Sequence, residues 1–171
     1  MAGDNSIATQ MEDWIVTQIK TLQFGGGPLF DPADVEPFHG IEEGRAFEDI
    51  AGKLFQGKRT RWCVVLPVRD EVQDLEEGDI RLRTTYAILV GVENQRRPGA
   101  ARRGDDTSPG ANVIRDLLRS VLHTPPNAGP AVTDGITKVD DALWAGAEML
   151  SNTGTRVVMR CTVVAVEGRK A

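Results

Sequence analysis

The fold is decided by the longest alternating stretch of the sequence, DIRLRTTYAILVGVE, at residues 79–93. Apolar or β-branched side chains occupy every second position from Ile80 to Val92, whereas Arg81 and Arg83 face the other way. This period of two is typical of a β-strand with one buried face. At about 3.3 Å per residue such a strand reaches roughly 45 Å, which is longer than a small core requires. We therefore expect one end to project as a hairpin arm or to pair beyond the domain.

The segments on either side predict a mainly antiparallel sheet. RWCVVLPV at 61–68 is a β-branched run with Pro67 near its end, as in a buried strand that stops there. Two more strands are predicted over 136–150 and 155–167, joined by a Ser-Asn-Thr-Gly turn that tolerates positive φ. A short strand is expected around residues 35–38.

Helical spacing is clearest in SIATQMEDWIVTQIKTL, residues 6–22, where Trp14 belongs to the apolar stripe and a glycine run follows the end. A short helix is predicted over 44–56 and another over 111–122. Together these elements predict one α+β domain spanning residues 1–171. Its mainly antiparallel sheet of about four to five strands is flanked by two or three helices.

The composition excludes several classes of protein. Hydrophobic residues make up 40% and charged residues 26% of the chain, which is typical of a globular domain. The net charge of −5 gives no overall attraction to phosphate backbones or anionic lipid, and no apolar run approaches the length that spans a bilayer. We expect no membrane partner. Cys63 and Cys161 lie in apolar runs and are expected to be buried, reduced thiols.

Few residues support catalytic chemistry. The two histidines, His39 and His123, lack the spacing of zinc ligands, and there is no C-x-x-C, so no metal or cofactor is expected. The glycine run follows a helix and is not accompanied by Gly-Lys-Ser/Thr, which argues against a phosphate-binding loop. The sequence thus predicts no enzyme. A ligand pocket near Tyr86, His39 and Asp140 is the alternative that would change this interpretation.

Charge is segregated along the chain. Residues 70–79 carry six acids and no base, which predicts a solvated turn or loop, whereas residues 94–104 carry four arginines and no acid. Such segregation suits head-to-tail contacts between copies. A flexible solvated loop at 94–110 and contact with DNA in a channel are the alternatives. The candidate interface residues are Arg81, Arg83, Arg96, Arg97, Arg102, Arg103, Asp70, Glu71, Asp74, Glu76 and Glu77.

Five segments follow one another in an order that a known family shares. They are an amphipathic helix (IVTQIKTLQ), a strand (RWCVVLPV), a long strand (IRLRTTYAILVGVEN), a helix (NVIRDLLRSVL) and a closing hairpin that ends in TRVVMRCTVVAVEG. In this order the chain resembles the tail terminators and Mu-like minor tail proteins of tailed bacteriophages. The resemblance spans nearly the whole chain and rests on the order of elements, without a fingerprint motif.

The resemblance implies a homohexameric ring that caps the tail tube, stops its growth and presents a docking face to the head or neck, or to the sheath of a contractile tail. The implied partners are further copies of the chain, the tail tube protein, sheath and head/neck connector proteins, and DNA passing through the lumen. The implied location is the virion tail, assembled in the bacterial cytoplasm, with no catalytic residues. A head-completion, connector or baseplate subunit is the nearest alternative, and a small-ligand-binding protein or enzyme is a more distant one.

Overall fold

The computed structural model describes residues 6–38, 52, 54–56, 60–74, 80–125 and 128–169. These residues form a five-stranded and a two-stranded sheet with helices, which confirms the predicted α+β class. A 3-10 turn covers Pro32–Asp34. The other elements are α1 (Ile7–Lys20), β1 (Gln23–Phe24), β2 (Gly27–Pro28), β3 (Val35–Pro37), β4 (Arg61–Asp74), β5 (Ile80–Glu93), α2 (Ala100–Arg103), α3 (Ala111–Leu122), β6 (Thr137–Asn152) and β7 (Arg156–Arg169).

The large sheet has the strand order β3-β4-β5-β7-β6 and is antiparallel except for the short parallel pair of β3 and β4. The strand predicted over residues 79–93 is confirmed as β5, which pairs with β4 on one side and with β7 on the other. The expectation of a projecting arm is wrong for the described residues. β7 accompanies β5 as far as Arg81, and β6 accompanies β7 to Arg169, so the whole sheet extends together.

One face of the sheet packs against α1 and α3. The stripe predicted on α1 is confirmed by Met11, Ile15 and Ile19, which are fully buried, and the Ser6 side chain caps this helix by accepting a hydrogen bond from the Thr9 amide. Trp14 is only partly buried at the margin of this cluster. The alternating side chains of β5 supply the sheet's half of this core, as the period of two requires.

The opposite face carries a second, smaller cluster. Trp62 is its centre and is fully buried, in contact with Phe55 at a ring-centroid distance of 5.3 Å. Trp62 lies directly over Gly91 of the neighbouring strand. A Cβ atom at Gly91 would stand 2.1 Å from the indole ring, so only glycine leaves room for it. The cluster thereby covers the end of β5 on the face opposite to α1 and α3.

Two predictions about irregular segments need correction or fall outside the described chain. Residues 70–74 were predicted as part of a solvated loop, but they continue β4, because each has a partner on β5 after a bulge between Pro67 and Arg69. Proline lacks the amide that an uninterrupted ladder would use, and the bulge accommodates it. Of the helix predicted over 44–56, Gly52 and residues 54–56 are helical, and the remainder lies outside the described residues.

Candidate functional site

The candidate interface residues divide between the two ends of the β4–β5 hairpin. At one end Arg61 pairs with Val92, and the arginine-bearing segment 94–110 follows directly after β5. At the other end Asp74 pairs with Ile80. A strand of this length separates its two ends by about 43 Å. We call these the arginine end and the acidic end of the sheet.

At the acidic end the backbone register mixes charges of both signs. In the backbone register Glu71 is paired with Arg83, and Gln73 with Arg81, so both arginines of β5 lie at the acidic end of the hairpin. Asp70 is exposed in β4 opposite Thr84. By its position in the strand, Arg83 belongs with the acidic end and not with the arginines of segment 94–110. The last two candidates, Glu76 and Glu77, lie outside the described residues.

A buried carboxyl group lies behind the acidic end, on the helix face of the sheet. Glu167 is 6% exposed and accepts a hydrogen bond of 3.3 Å from the Thr84 hydroxyl. Burial raises the pKa of Glu167, and the nearby carboxylates of Asp70 and Asp134 raise it further, against the opposing effect of the Thr84 hydrogen bond. The Tyr86 hydroxyl is buried in the same region and has no hydrogen-bond partner in the described part of the chain.

At the arginine end, segment 94–110 is folded around one carboxylate. Asp105 accepts hydrogen bonds from the Asn94 side chain, from the Thr107 amide and hydroxyl, and from the Ser108 amide, at 2.9–3.0 Å. The side-chain bond from Asn94 and the loop bonds hold the pKa of Asp105 far below its usual range. Where the sequence allowed a flexible loop, the structure therefore shows a defined turn. Its role as an interface stays a prediction.

The turn is also packed against the start of α3. Ala100 and Ala101 of α2 are buried, and Gly104 pairs with Pro109 in an isolated bridge. A Cβ atom at Gly110 would lie 2.2 Å from the Gly104 nitrogen, so the two glycines permit a close backbone approach. Small residues and glycines thus fix the base from which the arginines extend.

The four candidate arginines lie on this turn in two pairs. Arg102 and Arg103 are exposed on α2. Arg96 donates to the Thr107 hydroxyl and lies 3.8 Å from an Asp105 oxygen, while Arg97 donates to the Gly104 carbonyl at 3.4 Å. The structure therefore brings together the four arginines that the sequence placed in one segment, and separates them from Arg81 and Arg83.

A cleft of about 580 Å³ opens beside this turn, at the end of β4 and β5. Its most unusual residue is Arg61, which sequence reasoning did not select. The Arg61 side chain is half-buried, and burial lowers its pKa. The sequence signal that could have indicated Arg61 is its position as a basic residue at the start of an otherwise apolar strand. The cleft is lined by Thr60, Arg61, Val92, Glu93, Asn94, Gln95, Arg96, Ser108 and Pro109.

The residues of the alternative ligand pocket do not converge. Tyr86 is fully buried in the helix-face core, whereas Asp140 is exposed at a bulge in edge strand β6. His39 lies outside the described residues. Within the part of the chain that the structure describes, no three His, Cys, Asp or Glu side chains are grouped as a metal site would need.

The two cysteines are placed in the core. Cys63 and Cys161 are buried and unbonded, as predicted, and burial raises the pKa of Cys161 to about 12. Such thiols are unreactive because the thiolate is disfavoured. None of the helices among the described residues is long and apolar enough to cross a membrane.

Comparison with solved structures shows where else this arrangement occurs. One chain in the structure of the virion of a native gene transfer agent particle superposes on this protein with a TM-score of 0.52, covering 98% of this chain and 99% of that chain. The two chains share one fold. Their sequences are 11% identical, so the likeness concerns architecture and not individual site residues. No protein-family model matches the sequence, and no curated protein matches it either.

Proposed function

We propose that this protein is a structural subunit of a phage or phage-tail-like particle, and within it a tail terminator without enzymatic activity. The observation that carries the proposal is the fold shared with a virion chain over 98% of this sequence. The order of elements from α1 to β7, which led to the terminator resemblance, is the order that the structure has. Neither observation depends on a catalytic group.

The charge distribution supports assembly through two different surfaces. The acidic end and the arginine end are separated by about 43 Å along one hairpin, so a subunit cannot join its own two ends. Two different, complementary surfaces make a heterologous contact, which closes into a ring when the rotation between subunits permits. A homohexameric ring on the tail tube is the form that the terminator family implies. Tube protein, sheath and head/neck connector proteins are its proposed neighbours, with DNA passing through the lumen.

Function as a terminator requires one face that binds the last ring of tube subunits and another that adds no further tube. The edge strand β6 suits a face that stops growth, because three register shifts interrupt its pairing with β7. Bulged edges resist the addition of another strand. We therefore assign the non-propagating face to the β6 side of the sheet.

Deletion of the gene from the particle's genome tests the location and the role together. We expect tail tubes of uncontrolled length, and restoration of uniform length when the chain is supplied in trans. Electron microscopy of labelled particles should find the label at the head-proximal tail end. Label at the head connector or the baseplate, with tubes of normal length in the deletion, would instead support the alternative structural roles. Absence of the chain from purified particles would refute a virion role altogether.

Replacement of the arginine cluster tests the surface. We expect the variant with Arg96, Arg97, Arg102 and Arg103 changed to Ser to remain a folded monomer and to lose ring assembly, because the charge that attracts the neighbouring copy is gone. Light scattering across concentration measures this. The matched control changes Arg115 and Arg119, which are exposed on α3, to Ser. Unchanged assembly of the cluster variant would reduce segment 94–110 to a spacer.

A further inference from the structure

We propose that the cleft at the arginine end, with Arg61 at its wall, receives the acidic end of β4 from a second copy of the chain. This inference rests on the proposed assembly of copies and adds the residue and the cleft that would hold the contact. It concerns a residue outside the charged cluster that the sequence indicated.

Arg61 carries the unbalanced charge of the cleft. No carboxylate lies within 4 Å of its guanidinium, and no hydrogen bond satisfies it, among the residues that the structure describes. Half-burial of an unpaired guanidinium is unfavourable, since the charge loses water without gaining a partner. A carboxylate brought in from outside would supply that partner.

The acids in the cleft and beside it are engaged elsewhere. Glu93 is ion-paired with Arg156, whose guanidinium also lies 4.9 Å from the centre of the Phe55 ring. Asp105, beside the cleft, accepts the turn's own hydrogen bonds and contacts Arg96. Neither acid neutralises Arg61, so the cleft retains an affinity for anions.

The acidic end of β4 is the anion that fits this cleft. The densest acidic segment of the chain begins at Asp70 and continues through Glu71 and Asp74 on β4, and Asp70 is exposed. Along β4, Asp70 lies about 30 Å and Asp74 about 43 Å from Arg61 of the same chain, so these acids can reach this cleft only on another copy. Identical copies also provide one acidic end for each cleft. A volume of about 580 Å³ is enough to admit several side chains from such a strand.

The experiment uses two neutral variants of the full chain. Arg61→Gln removes the charge of the cleft, and the combination Asp70→Asn, Glu71→Gln and Asp74→Asn removes the charge of the acidic end. Each variant alone is expected to self-associate at least about tenfold more weakly than the wild type at low salt, because one member of a desolvated pair is missing. Arg119→Gln, on the exposed side of α3, is the matched control and should associate like the wild type.

Mixing the two variants gives the decisive measurement. Each retains the surface that the other lacks, so the mixture should form one-to-one dimers that cannot extend, as read by native mass spectrometry or sedimentation. Arg61→Lys, which keeps the charge, should partly preserve assembly, and near-UV circular dichroism should show that all variants are folded.

Three outcomes would overturn the inference: wild-type association by Arg61→Gln, a mixture that stays monomeric, or a wild-type chain that does not self-associate at low salt. Binding of DNA that is lost in Arg61→Gln, with self-association intact, would assign the cleft to phosphate and also overturn it. The virion role is tested separately, by whether the chain is present in purified particles, and that test does not depend on any of these results. The two proposals can therefore fail independently.

Discussion

The two ends of the β4–β5 hairpin differ in packing as well as in charge. At the arginine end, Trp62 lies over Gly91 on one face of the sheet, and a hydrogen-bonded turn is packed beside it. At the acidic end, β4 passes a bulge after Pro67, and Val68 is 51% exposed. A receptor surface that is fixed before binding loses less conformational entropy on association. The arginine end is therefore the better preorganised of the two, as the proposed receptor cleft requires.

The largest expected effect comes from removing the indole that anchors the arginine end. Trp62→Ala should lower the free energy of unfolding by about 3–5 kcal/mol, because a fully buried ring leaves a cavity. Chemical denaturation measures the change. Trp14→Ala is the control within the same chain and should cost less, since Trp14 is only partly buried. Equal losses for the two variants would contradict the special role given to the Trp62 cluster.

A smaller effect is expected from filling the space beneath that indole. Gly91→Ala should destabilise the chain by about 1–3 kcal/mol, since the new methyl group overlaps the Trp62 ring. In the Trp62→Ala background the same change should cost much less, because the obstructing ring is gone. A double-mutant cycle by chemical denaturation measures the coupling. Additive effects would show that the two residues are not in contact.

The turn at the arginine end should depend on Asp105 and on pH. The folded protein lowers the pKa of Asp105, so its contribution to stability is present above the ordinary aspartate range and is lost as the pH falls below it. Asp105→Ala should therefore increase hydrogen exchange at the Thr107 and Ser108 amides at neutral pH, with little effect on the sheet. Asp106→Ala, the exposed neighbouring change, should leave both amides protected. Equal protection in Asp105→Ala would show that the turn has other supports.

The smallest effect is expected behind the acidic end and has the opposite sign. Because burial raises the pKa of Glu167, the folded state disfavours its ionised form, and stability falls as the pH rises through the folded pKa. Glu167→Gln should therefore raise the thermal midpoint at pH 7 and change it little at pH 4. Glu148→Gln, at a solvent-exposed ion pair with Arg160, should show no such gain. A lower midpoint for Glu167→Gln at pH 7 would mean that the carboxylate is needed there.

Trp14 and Trp62 show how far the burial of a side chain could be predicted from the sequence. Helical spacing placed Trp14 on the buried stripe of α1, and it does lie on that side, but only at the margin of the core. Trp62 is the more deeply buried ring, and no local pattern distinguished it from its neighbours in RWCVVLPV. Its position depends on the absence of a side chain at Gly91, which is distant in the sequence and adjacent only through strand pairing.

The candidate site was predicted unevenly for the same reason. The sequence proposed Arg96, Arg97, Arg102 and Arg103 as one interface cluster; the structure places all four in one short turn, and their role in an interface stays a prediction. Arg81 and Arg83 were candidates on the outward face of β5, and the register places them opposite Gln73 and Glu71 of β4. Arg61 was not selected because its half-burial in a cleft is a property of the assembled fold.

The sequence by itself determined the elements: the alternation of β5, the stripes of α1 and α3, the closing hairpin and the separation of acidic from basic segments. These are local properties, because periodicity and charge are written in neighbouring residues. The tertiary structure alone decided the strand order, the extension of β4 through residues 70–74, and the cleft that brings Arg61 beside Arg96. Such features depend on pairing and packing between distant segments, whose favourable energies appear only when the chain is folded.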